Sequence, residues 1–132
     1  MANQDTLRTL LKTEHREDVI EALDIFLSGE PIIHFIIFRT PDSGKLKGLF
    51  TATKERCFFI SCLEKWIFKT HLFQWKDLKC IDGDTHRVEG EIMYNVKLTF
   101  ISDELLLEHI HKEDAVRLME EINKLLKLPN RS

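Results

Sequence analysis

The apolar residues of this chain change period twice. Leu7, Leu10 and Leu11 recur at helical spacing, and so do Val19, Ile20, Leu23, Phe26 and Leu27. The polar run Lys12 to Asp18 lies between the two sets and is the place for a bend or a break. Asp5 is the candidate N-cap. Gly29 is the candidate stop, and Pro31 cannot continue a helix. Beyond it the period shortens. Residues 32–38 are an apolar, β-branched and aromatic run, and 46–52, 57–60, 66–72 and 77–81 follow as further strands. Pro41 to Gly44 supplies turn chemistry after the first strand, and Asp82-Gly83-Asp84 reads as the end of the fifth. In the sixth, Ile92, Tyr94, Val96, Leu98 and Phe100 fall on one face, while Asn95, Lys97 and Thr99 fall on the other. That is the alternation of a half-buried antiparallel strand. Ser102 to Glu104 turns the chain into a seventh strand at 105–110. The helical period then returns with Ala115, Leu118, Met119, Ile122, Leu125 and Leu126. Glu113 and Asp114 suit the start of this helix, Lys124 and Lys127 suit its end, and Pro129 closes it.

The expected fold class is therefore α+β and mainly antiparallel β: an N-terminal amphipathic helix, about seven strands and a C-terminal helix. Within its 132 residues, 43% are apolar and 31% charged, the profile of one globular domain. No apolar run approaches the ~18–20 residues of a membrane span. The N-terminus lacks the basic start and apolar stretch of a secretory signal. Three cysteines, an odd number, fit a reducing, cytoplasmic setting better than a disulfide framework. The net charge of −3 argues against nucleic acid as a partner. That charge is unevenly spread. Residues 1–30 carry three basic and seven acidic side chains, 39–81 carry nine and four, and 82–132 carry seven and eleven. A basic middle between acidic ends suits an anion-facing surface or internal charge matching.

The run Lys47-Gly48-Leu49-Phe50-Thr51-Ala52-Thr53-Lys54-Glu55-Arg56-Cys57-Phe58-Phe59-Ile60 resembles a hairpin of bacterial pleckstrin-homology (PH)-like domains. Trp75-Lys76-Asp77-Leu78-Lys79-Cys80-Ile81 is similar to the strand that follows it there. The resemblance covers about residues 31–128 and is nearest to the YokE-like group. It implies a barrel or sandwich of two near-orthogonal sheets with a C-terminal capping helix. The division it implies is a helical extension at 1–29 and a PH-like domain at 30–129. The closing helix has Leu118 and Met119 where eukaryotic PH domains carry a characteristic Trp. The motifs specify structure and no reaction, so the implied function is a non-catalytic binding or assembly module.

The candidate ligand site is basic. Phosphoinositide-binding PH domains present a basic residue, a loop and then basic-x-basic, and Arg39, the loop 40–44 and Lys45-Leu46-Lys47 are similar to that. Lys45 and Lys47, two apart on a strand, would share a face, and Lys54 and Arg56 repeat the spacing in the next hairpin. Such cations suit a phosphate or an anionic membrane surface. The bland reading is solvated hairpin charge. The candidate partner surface is Leu23 and Phe26 of the amphipathic helix with Trp66 and Trp75, whose partner would be another protein or a second copy in a homo-oligomer.

Catalytic and metal patterns are weak. Asp82-Gly83-Asp84-Thr85-His86-Arg87 begins like a calcium loop but has Arg87 where glycine is required. Ser43-Gly44-Lys45 lacks the rest of a phosphate loop. His109 and His111 would share a strand face but lack a third ligand, which leaves a metal-dependent enzyme as the least favoured reading. Cys57, Cys62 and Cys80 have no zinc spacing and read as small apolar fillers. No cofactor, metal or catalytic residue is expected.

Overall fold

The computed structural model describes residues 2–126. The expected Lys127 and Pro129 at the end of the last helix lie outside them. The order is α1 (Ala2–Thr13), α2 (Glu17–Leu27), β1 (His34–Arg39), β2 (Leu46–Ala52), β3 (Arg56–Glu64), β4 (Ile67–Gln74), a short 3-10 turn (Trp75–Asp77), β5 (Leu78–Val88), β6 (Glu91–Phe100), β7 (Glu104–Ile110) and α3 (Lys112–Leu126). The strands form two antiparallel sheets, β1-β2-β3-β4 and β5-β6-β7. The chain divides into two compact units, residues 1–73 and 74–132, so the expected extension 1–29 lies within the first.

The N-terminal segment is two helices, broken inside the polar run. α1 ends in a left-handed residue, His15, at φ 58°. Arg16 N–H donates to the Leu11 carbonyl at 2.8 Å and His15 N–H to that of Lys12 at 3.0 Å. This pair of bonds satisfies carbonyls that the last turn of a helix would leave open. Asp5 is not the N-cap, because α1 begins at Ala2 and Asp5 stands in its first turn. α2 ends with Ser28 and Gly29 both left-handed, φ 53° and 83°.

Both helices bury their apolar faces in their own unit. Leu7, Leu11, Val19, Leu23 and Leu27 share one cluster with Leu49, Phe58 and Ile60 of β2 and β3. Each such side chain contributes about 1.5–3 kcal/mol on burial. Register places Leu49 opposite Ile60 and Thr51 opposite Phe58 on this face. The other face carries Gly48, Phe50, Ala52, Cys57 and Phe59. Gly48 is required there, because a Cβ would stand 2.5 Å from Cζ of Phe59. The ring of Phe59 in turn meets that of Phe38 edge-on, with centroids 5.4 Å apart.

In the second unit, Ile81, Gly83 and Thr85 of β5 pair with Leu98, Val96 and Tyr94 of β6, and Leu105, Leu107 and Ile110 of β7 follow on the same face. α3 lies against β6 and buries Ala115, Leu118 and Ile122. β5 does not end at Asp82-Gly83-Asp84 as expected. It runs on to Val88 and turns at Glu89-Gly90, both at positive φ, which suits a tight hairpin. The Asp-Gly-Asp chemistry that reads as a turn is overruled by pairing. Asp84 and Asn95 are register partners, and the Asn95 amide donates to Asp84 Oδ1 at 2.9 Å.

Candidate functional site

The predicted basic site is largely matched within the chain. Arg39, at the end of β1, donates to both carboxylate oxygens of Glu14, one at 2.8 Å, and to the Gly44 carbonyl at 3.1 Å. The Arg39 hydrogen bond holds the Glu14 carboxyl below the ordinary range. Arg56 donates to Glu30 at 2.8 Å. Thr53 joins the pair, donating its hydroxyl to the second Glu30 oxygen at 2.5 Å and accepting the Arg56 N–H at 3.2 Å. Among the described residues, no ion pair engages Lys45, Lys47 or Lys54, and all three are exposed. They do not form one patch. β2 is seven residues long, so Lys45 and Lys54, beyond its two ends, lie about 20 Å or more apart. Lys45 precedes the strand, and the register slips at Lys47, because Phe38 pairs with Gly48 and Arg39 with Leu46. The simple two-residue alternation expected for Lys45 and Lys47 is lost at this bulge.

The predicted apolar surface divides. Leu23 is fully buried in the cluster of its own unit, and Trp75 is 6% exposed, tilted against Phe100 at 6.2 Å. Neither is presented to a partner. Phe26 is half-buried against Phe58 at 5.9 Å. Trp66 is 57% exposed in the β3–β4 turn, with Leu63 and Ile67 exposed beside it in sequence. Its backbone is unusual for a bulky residue, with φ 69°. It is held there by Asp18, at the start of α2, whose Oδ2 accepts the Trp66 N–H at 2.8 Å. Asp18 is 1% exposed and receives two further bonds from Arg16, each 3.0 Å. Burial pushes the Asp18 carboxyl up, but the Arg16 and Trp66 bonds together outweigh it and hold the group below the ordinary range.

The sequence did not mark the groove in the second unit, of about 740 Å³, between β5 and α3. Its floor is Ile81, Tyr94 and Val96, and its helix wall is Ala115, Val116 and Met119. Glu120 and Asn123 make the wall polar toward its end. Five consecutive residues of β5, from Ile81 to Thr85, line it.

The opposite face of that sheet holds a polar chain. Nε2 of His86, on β5, and Nδ1 of His109, on β7, share a hydrogen bond at 2.8 Å. The His109 N–H donates to the Asn95 side-chain carbonyl at 3.1 Å. His109 is at φ 60°, where the β6–β7 register slips. His111 falls after β7, so the expected pairing of His109 with His111 is replaced by His109 with His86. Among the described residues no three metal-ligating side chains cluster. Cys57 is buried and Cys62 half-buried, and burial pushes both thiols up. A thiol so shifted is a poor nucleophile.

No protein-family model matches the chain, and no curated protein matches it. Among solved structures it is similar to the C-terminal domain of an unknown protein from Leishmania infantum, with 15% identity, a TM-score of 0.57, and coverage of 84% of this chain and 98% of that one. It is also similar to a pleckstrin homology domain from Shewanella amazonensis SB2B, with 18% identity, a TM-score of 0.55, and coverage of 79% and 95%. The chain therefore has a PH-like fold. Among the described residues, no helix is long and apolar enough to cross a membrane.

Proposed function

We propose that this chain is a non-catalytic binding module of the YokE-like PH type, which makes protein contacts, including self-association, through its β3–β4 turn. The observation that carries this reading is Trp66. A large aromatic side chain is exposed on a backbone conformation that bulky residues avoid, and a buried carboxylate clamps that conformation. Strain of this kind, over-determined by its surroundings, is characteristic of functional positions. Exposed tryptophan is also the residue type most enriched in the hot spots of protein interfaces. The YokE-like kinship draws support from the motif itself, in which Gly48 seats Phe59 and Arg56 closes on Thr53 and Glu30. The non-catalytic reading draws on the engagement of His86 with His109 and on the packing role of Cys57. A reducing, cytoplasmic setting fits the thiols Cys57, Cys62 and Cys80.

Light scattering behind size-exclusion chromatography tests the reading on the full chain and on Trp66→Gly. Association that rises with concentration and is lost in the variant supports it. Identical masses for the two, in an associated wild type, overturn the role of the turn. A wild type that stays monomeric removes self-association and leaves a different protein as the partner.

A second reading, binding of a phosphate or anionic lipid at the β1–β2 turn, rests on Lys45 and Lys47, which are exposed beside Arg39. The engagement of Arg39 by Glu14 places it second.

A further inference from the structure

The contact between His86 and His109 is one that stability alone does not ask for. Nδ1 of His86 is buried and has no hydrogen-bond partner among the described residues. A buried polar atom left unpaired is costly. His109 stands at φ 60° inside β7, in the left-handed region that strand residues avoid. The Asn95 side chain fixes it there by accepting its N–H at 3.1 Å, and Asp84 in turn accepts from the Asn95 amide at 2.9 Å. Local strain that its surroundings over-determine collects at functional positions. Here it sets Nε2 of His86 2.8 Å from Nδ1 of His109.

Both are atoms that ligate metals, and their spacing narrows the geometry. Two nitrogens about 2.0–2.1 Å from one ion stand about 2.9 Å apart across a right angle and about 3.4 Å apart across a tetrahedral one. The observed 2.8 Å is therefore the spacing of two adjacent corners of a square-planar or octahedral ion. The rings meet at their nitrogen edges, with planes 65° apart and centroids 4.8 Å apart, so neither ring covers the other. The surroundings suit a cation. Asp84 and Glu108 are exposed beside the pair in sequence. The basic residues nearby are engaged elsewhere: Lys97 pairs with Glu104 at 3.4 Å, and Arg87 donates to the Gly90 carbonyl at 3.4 Å.

We propose that His86 and His109 form a chelating site for one divalent late transition-metal ion, nickel or copper, on the open face of the β5-β6-β7 sheet. Imidazole selects these ions over magnesium and calcium, which take oxygen ligands. Water completes the coordination, because His109 lies open to solvent. Both imidazoles bind as neutral rings, so the proton shared between them moves to the far nitrogen of the ring that carried it. β5 and β7 are the outer strands of the sheet and β6 lies between them, so the ion clamps the sheet from one edge to the other. The site goes beyond the Trp66 surface, lies in the other unit and does not depend on it.

Calorimetric titration of the full chain with nickel chloride tests the proposal. One ion per chain is expected, bound at least about tenfold more tightly than manganese, as the order of divalent affinities requires. Nickel is also expected to raise the melting temperature, since the unfolded chain does not bring the two rings together. His86→Gln and His109→Asn are each expected to weaken nickel binding at least about tenfold, the least that is lost when even a group supporting a ligand is removed. Asparagine tolerates the positive φ at position 109, so that variant keeps the backbone. His111→Gln, beside the site but outside it, is expected to bind as wild type does. Amide-resolved NMR spectra of the wild type need no variant to fold: nickel is expected to perturb the signals around His86 and His109 before any others. Absence of nickel binding, equal binding of nickel and magnesium, binding that survives both His86→Gln and His109→Asn, or a first perturbation at another histidine would each overturn the proposal.

Discussion

The carboxylate of Asp18 and the backbone N–H of Trp66 meet at 2.8 Å although 48 residues separate them in the chain. This one bond ties the β3–β4 turn to the start of α2. Removing the carboxylate leaves the Trp66 N–H and the half-enclosed Arg16 without their acceptor. Asp18→Ala is expected to cost about 3 kcal/mol, measured by urea unfolding.

The same group makes stability pH-dependent. The folded-state pKa of Asp18 is depressed below its ordinary value of 3.8. Its contribution is therefore fully present above that value and is lost as pH falls through the lower folded value. Acid unfolding of wild type is expected to be steeper there than that of Asp18→Asn. Parallel acid titrations of the two chains would remove this assignment.

Trp66→Gly relieves the positive φ, a conformation that costs most residues about 1–2 kcal/mol. Folding stability is expected to stay level or to rise by up to about 1 kcal/mol, since the ring that is lost is mostly exposed. A clear fall in the urea midpoint would show that the indole is a packing residue.

Gly48→Ala forces the Phe59 ring to move and is expected to cost about 1–3 kcal/mol. Phe59→Leu is expected to relieve most of this, so a double-mutant cycle on the two positions should give a coupling well away from zero. Additive effects would place the strain elsewhere.

Glu14 withholds Arg39 from anions. Glu14→Gln is expected to release it and to raise sedimentation with anionic vesicles about fivefold, the worth of one arginine near such a surface. No change on release, together with no change on reversing Lys45 and Lys47, would remove the lipid reading.

Much of the fold was legible because its periods are strong. The alternation of residues 92–100 and the apolar stripe from Ala115 to Leu126 place β6 and α3 correctly. The break between α1 and α2 was visible as a polar run. What escaped depended on partners remote in sequence. Asp82-Gly83-Asp84 carries local turn chemistry, and only the strand opposite it shows otherwise. Arg39 looks free until Glu14, 25 residues earlier, is seen beside it. His109 pairs with His86 because a register slip takes it out of the alternation that linked it to His111. The exposure of Trp66 against the burial of Trp75 follows from turn geometry, to which composition is blind. The groove left one trace in the sequence, a glycine inside a strand, and the aspartates on either side of it disguised that trace as a turn.

Those aspartates also decide what β5 refuses. Were two copies of the chain to meet edge to edge and antiparallel about Gly83, Asp82 of each would lie opposite Asp84 of the other, and four carboxylates would crowd one face of the joint sheet. A bare outer strand is ordinarily an invitation to fibre growth, and this one carries its own deterrent. The edge is thereby kept from polymerising on itself at high protein concentration.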